Sequence, residues 1–168
     1  MEDTGMHKLK MTLAILALCI ITPAALPAAD EKEGDRSLDV LADDLKFQNG
    51  VYFIGLKMYD KALETLNEYL EIYYTGNHRH EAYKLIADIY FNRMEYFKAI
   101  QNYQALYEEF SGTDSGVEAY YHLGLCYNKM GYEKKAAEIF NEIIENHSDS
   151  IYAQQARLQL DVLQVLEE

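Results

Sequence analysis

The sequence predicts an all-α fold: a solenoid of three helical hairpins with a C-terminal capping helix. Two observations carry that expectation. Apolar residues recur with a period of 37, and within each period they fall at helical spacing. Both prolines, Pro23 and Pro27, lie before residue 30, so the rest of the chain has no proline to interrupt a helix.

Taken in order, residues 1–29 read as an export signal. Met6 to Lys10 carries two lysines, residues 11–22 are apolar (MTLAILALCIIT), and the small-residue stretch PAALPAAD follows. The acidic MEDTG ahead of Met6 suits a basic n-region poorly, so both Met1 and Met6 stand as candidate starts. Because residues 11–29 carry no charge, an uncleaved N-terminal anchor is the alternative, and lipidation at Cys19 is disfavoured by Leu18 before it. In either form Lys8 and Lys10 stay inside the cell and the body faces outward. Residues 30–37, polar and without an apolar period, read as a charged, flexible spacer.

The repeat domain spans residues 38–168, with units at about 42–78, 79–115 and 116–152 and a cap at 153–168. Ala62, Ala99 and Ala136 stand one period apart, as do Leu66, Tyr103 and Phe140, and Tyr69, Leu106 and Ile143. These form one apolar stripe on the second helix of each unit. The first helix repeats Ala82, Ala119 and Ala156, the aromatics Phe53, Tyr90 and Tyr127, and the small residues Gly50, Ala87 and Gly124. A small residue at a helix crossing lets two backbones approach closely. No unit can bury its stripe alone, so neighbours must stack. Ser115 with Glu118 reads as a capping box, Gly131 as a helix C-terminus, and Ser148 or Asp149 as the cap of the last helix, whose outer face is expected to be polar.

Tyr120, Leu123, Gly124, Tyr127, Gly131, Tyr132, Ala136 and Phe140 together resemble the tetratricopeptide repeat. The middle unit keeps Tyr83, Ile86, Ala87, Tyr90, Ala99 and Tyr103. The first keeps Gly50, Phe53, Ala62 and Leu66 but has Lys46 and Asn49 at patterned positions, and Tyr74, Ser111 and Ser148 replace the usual closing proline. The long units, with turns FSGTDS from residue 110 and HSDSIYA from residue 147, are similar to those of BamD-like outer-membrane assembly lipoproteins and the periplasmic Tol-Pal coordinator family. That resemblance implies an exported, non-catalytic scaffold, periplasmic or anchored to a membrane facing the periplasm, that binds an envelope protein.

In such arrays the first helices line a concave groove. By that mapping the partner-binding residues are Phe47, Val51, Ile54, Lys84, Asp88, Phe91, Asn92, Tyr121, Leu125, Asn128 and Lys129. The Lys and Asn pairs of carboxylate-clamp receptors for chaperone tails are missing, since their places hold Phe47 and Val51, Lys84 and Asp88, and Tyr121 and Leu125.

Composition narrows the partner further. The chain has 15 basic and 28 acidic residues, net charge -13, and Glu2 and Asp3 cancel Lys8 and Lys10, so the body carries the excess. Such a surface repels nucleic acid and anionic lipid. Membrane contact is expected only through an uncleaved N-terminus or a partner. The sequence assigns no oligomeric state. Two further readings stay open, a cell-wall or polysaccharide-binding accessory protein and a self-assembling oligomer subunit.

No catalytic residue, cofactor or metal site is assigned. Cys126 reads as a buried, inert thiol, and with Cys19 in the leader no internal disulfide is expected. His78, Arg79 and His80 read as a solvated turn, and His122 and His147 as lone structural histidines. Most of the 15 tyrosines, among them Tyr69, Tyr83, Tyr90, Tyr103, Tyr107, Tyr120 and Tyr127, sit on the periodic stripes and are expected in the core. There is no Gly-rich phosphate loop and no Gly-x-Ser-x-Gly elbow.

Overall fold

The computed structural model describes residues 31–167, with side chains described for residues 38–164. The leader assigned to residues 1–29 lies outside the described residues. Within them the chain forms helices α1 (Glu31–Gly55), α2 (Tyr59–Ile72), α3 (Arg79–Asn92), α4 (Tyr96–Phe110), α5 (Asp114–Lys129), α6 (Glu133–Asn146) and α7 (Ile151–Glu167). The hairpins are α1/α2, α3/α4 and α5/α6, and α7 stands where the first helix of a fourth would begin. The spacer expectation needs correcting, because residues 31–37 are the opening turns of α1. Glu, Lys and Arg are good helix formers, and a backbone continuous with the apolar segment from Leu38 extends the helix through them.

Each hairpin turns in the same way. The N–H groups of Met58, Glu95 and Tyr132 donate to the carbonyls of Phe53, Tyr90 and Tyr127, and those of Lys57, Met94 and Gly131 donate to Ile54, Phe91 and Asn128. This paired pattern satisfies the last carbonyls of the first helix and places one residue in the left-handed region. That residue is Lys57 (φ 58°), Met94 (φ 61°) or Gly131 (φ 78°), one per period. Only the third hairpin uses glycine there, so the sequence revealed one turn of three.

The hairpin crossings are where the small residues were expected. A Cβ on Gly50 would stand 2.5 Å from Leu66 Cδ2, and one on Gly124 would stand 2.6 Å from Phe140 Cε1. Leu66, Tyr103 and Phe140, the large residues of the second helices, are fully buried, as are Ala62, Ala99 and Ala136. The core falls into two clusters that divide at α3. Ala82, Ile86 and Ile89 pack with Phe47 and the α2 stripe, while Ala87 packs with α4 to α7. Tyr69 and Tyr103 are buried and Tyr83, Tyr90, Tyr107, Tyr120 and Tyr127 are half-buried, so the tyrosines belong to the packing. Cys126 is buried as well, and burial pushes its thiol up to about 12.

Two caps differ from expectation. Thr113, not Ser115, caps α5, its hydroxyl accepting the Gly116 N–H at 3.2 Å. Ser150, not Ser148 or Asp149, takes the Tyr152 N–H at 3.1 Å before α7. In both clusters several residues have cap chemistry, and the exit geometry of the previous helix selects among them. The outer face of α7 carries Arg157, Asp161 and Gln164 but also exposed Ile151, Leu158 and Val162, so it is only partly polar.

Two substitutions test this geometry. Gly124→Ala is expected to cost about 1–3 kcal/mol because the Phe140 ring has no room to retreat. Met94→Gly, which relieves a left-handed side chain on an exposed turn, is expected to stabilise by about 0.5–1 kcal/mol. Denaturant unfolding of the two variants measures both.

Candidate partner-binding cleft

The clearest concavity among the first helices lies between α1 and α3. It is a cleft of about 380 Å³ lined by Ile54, Tyr59, Leu85, Asp88, Ile89, Asn92 and Arg93. Leu85, Asp88, Ile89 and Asn92 form one face of α3 at steps of three, one and three residues, so a single helical stripe supplies most of the wall. Ile54, Leu85 and Ile89 make it apolar, and Asp88, Asn92 and Arg93 add polar groups. Arg93 is held by Asp60 at 2.8 Å and lies 5.8 Å from the Tyr59 ring centre, which fixes it at the rim. Asp88 accepts the Tyr103 hydroxyl at 2.5 Å, so its carboxylate is oriented from α4.

Of the residues predicted to bind a partner, Ile54, Asp88 and Asn92 come together here. Phe47 and Tyr121 do not line a groove and are corrections to the mapping. Phe47 is buried against Tyr69 and stacks on His78 with ring centres 4.4 Å apart, and Tyr121 is buried among Phe140, Tyr152 and His122. Both seal one unit to the next: the repeat fixes their place on the first helix, but the following helix covers them. Lys84 is engaged by Glu118 at 2.5 Å, bridging α3 to α5. Phe91 meets Tyr96 edge-on, Val51, Leu125 and Asn128 are half-buried, and Lys129 is exposed. The sequence reading missed Tyr59, Leu85, Ile89 and Arg93, although the stripe of α3 could have shown Leu85 and Ile89.

The turn before α3 sets the spacing of the cleft, and it is packed where a solvated turn was expected. Arg79 is buried, and its guanidinium donates to Glu109 at 2.5 and 2.8 Å, to the carbonyls of Leu70 and Tyr73, and to the Tyr83 hydroxyl. It satisfies carbonyls at the C-terminal end of α2 while anchoring α3 to α4. Asp43 of α1 accepts the Asn77 N–H at 3.0 Å, and Asp44 meets His78 Nε2 at 2.8 Å. These partners lie about 30 residues away in sequence, beyond what local composition reveals. His80 packs on Phe110 with ring centres 5.8 Å apart.

His122 has the opposite environment to His78. Burial lowers its pKa, it stacks on Tyr103 at 5.1 Å, and its Nδ1 is buried without a partner. Among the described residues no cluster of three or more His, Cys, Asp or Glu side chains is placed to hold a metal ion, and no helix is long and apolar enough to cross a membrane.

Comparison with known proteins places this architecture. The tetratricopeptide repeat family model matches residues 118–150, from the first turns of α5 to the start of the cap. Among solved structures the chain is similar to the N-terminal domain of stress-induced protein-1 (STI-1) from C. elegans. The TM-score is 0.60 at 16% identity, and the match covers 70% of this chain and 94% of that one. No curated protein matches. The fold is therefore that of a tetratricopeptide-type helical-repeat protein, with the family's own sequence pattern in the third hairpin.

The Asp44–His78 contact carries a pH dependence. Burial alone would lower the His78 pKa, but the hydrogen bond and charge of Asp44, and then Glu81, raise it above the ordinary histidine value. The stability contributed by the Asp44–His78 pair is then fully present below about pH 6.5 and is lost as pH rises through the elevated value. The stability difference between the parent and His78→Gln is expected to be largest near pH 5.5 and to shrink by pH 8. Thermal unfolding across that range measures it.

Proposed function

We propose that this chain is a non-catalytic scaffold that grips a segment of another protein in the cleft between α1 and α3. The carrying observation is the composition of that cleft, an apolar wall of Ile54, Leu85 and Ile89 with Asp88, Asn92 and Arg93 beside it. An apolar side chain from a helix or extended segment fits the wall, and its peptide groups meet the polar residues. Full burial of one large apolar side chain contributes roughly 1.5–3 kcal/mol, so a tight partner must also touch neighbouring helices. The repeat architecture supports the reading, since tetratricopeptide arrays are generally protein-binding scaffolds.

In the same reading the protein is exported and works in a bacterial envelope. The support is the order of Lys8 and Lys10, the apolar run and the small-residue stretch, together with the resemblance of the long repeat units to envelope scaffolds. The partner is then an envelope protein with a neutral or basic contact segment, given the net charge of -13.

A photo-crosslinking residue at Asn92, introduced in living cells, tests the proposal. It is expected to capture one reproducible species that Ile54→Lys reduces at least about tenfold and that a crosslinker at Gln104 on α4 fails to capture. Equal capture from both positions, or indifference to Ile54→Lys in a folded chain, would overturn the cleft assignment. Recovery of the chain only with cytoplasmic contents would overturn the export reading.

A further inference from the structure

Helix α1 and the first residue after it carry a second apolar stripe on the side away from the buried one. Leu38, Leu41, Leu45, Tyr52 and Leu56 follow at steps of 3, 4, 7 and 4 residues, and all are at least half exposed. The repeat identifies this as a stacking face. One period on, Leu45 becomes Ala82, Ala119 and Ala156, exposed 0%, 1% and 0% against its own 56%. Tyr52 becomes Ile89, Cys126 and Leu163, exposed 6%, 0% and 6% against 62%. In α3, α5 and α7 these positions are covered by the hairpin before. Among the described residues no hairpin precedes α1.

We propose that a second copy of the chain covers this stripe, with α1 of each copy paired antiparallel about a two-fold axis between Gln48 and Asn49. The spacing of the stripe supports this occupant because it reads nearly the same in both directions about that point. Leu45 meets Tyr52 of the second copy, Leu41 meets Leu56, and Leu38 meets the turn beyond Leu56. At the centre Gln48 faces Asn49, two exposed amides able to pair.

Charge favours the same orientation. Antiparallel pairing sets exposed Asp39 beside the turn that carries exposed Lys57, whereas parallel pairing sets Asp39 on Asp39. Five such side chains on each copy, each leaving on the order of 100 Å² to be covered, give a paired surface of about 1,000 Å², where specific interfaces begin. The contact is isologous and closes at two copies. The net charge of -13 opposes close approach of the copies, so association strengthens with salt.

The test is the mass of the full chain by light scattering from about 1 to 100 μM, with Leu45→Glu/Tyr52→Glu as the comparison. Both side chains are more than half exposed, so the double variant is expected to keep its helical circular dichroism while its dimer dissociation constant rises at least about a hundredfold. With Cys19 changed to serine, a Leu45→Cys chain mixed with a Tyr52→Cys chain is expected to form the mixed disulfide faster than either self-disulfide. Three results would overturn the proposal: a monomer throughout, even one whose α1 stripe is protected by the chain's own N-terminal segment; a dimer indifferent to the two glutamates; or faster Leu45→Cys self-coupling.

Discussion

Everything in this array rests on the close approach of two helices within each hairpin. That approach is possible only where a residue no larger than alanine meets a large one. Gly50 under Leu66 and Gly124 under Phe140 leave no room for a methyl group, and Ala87 occupies the matching place in the middle hairpin. The crossing sets the interhelical distance. The repeated turn sets the direction of return, through paired hydrogen bonds and one left-handed residue per hairpin. With the hairpin fixed, its remaining apolar surface is dictated, and the next hairpin must cover it.

Much of this was legible because it is periodic. The stripe of Ala62, Ala99 and Ala136 and the buried tyrosines follow from spacing alone, and the crossings follow from small residues one period apart. What escaped was what periodicity does not encode. Lys57 and Met94 adopt the same left-handed turn as Gly131, but only glycine announces it. Thr113 and Ser150 cap helices where several hydroxyl and carboxylate neighbours had equal chemistry. The turn around Arg79 looked solvated because its partners, Glu109 and the end of α2, come from other elements. Phe47 and Tyr121 were placed in a groove by helix position, yet His78 from the turn before α3 and Tyr152 from α7 cover them.

The same covering principle sorts the surface into closed and open parts. Inside the array Phe47 and Tyr121 are buried and Lys84 pairs with Glu118 of the next hairpin, so all three contribute to the spacing between hairpins. Cover is incomplete at the cleft between α1 and α3, where Ile54 and Leu85 are only half-buried, and along α1, where no earlier hairpin stands among the described residues. Arg79, Asp43 and Asp44 connect these two places physically, since they fix the turn that spaces α3 from α1. A partner in the cleft and a neighbour on α1 would therefore rest on the same joint.

The most direct measurement is a crosslinking scan in cells over the exposed positions of the described residues, one photo-reactive side chain at a time. Protein capture is expected to concentrate around the α1–α3 cleft and along the Leu38–Leu56 stripe, with the exposed faces of α4 and α6 silent. Capture concentrated on α4 and α6 instead, with the cleft and stripe silent, would contradict this, because recognition would then run through the second helices of the hairpins.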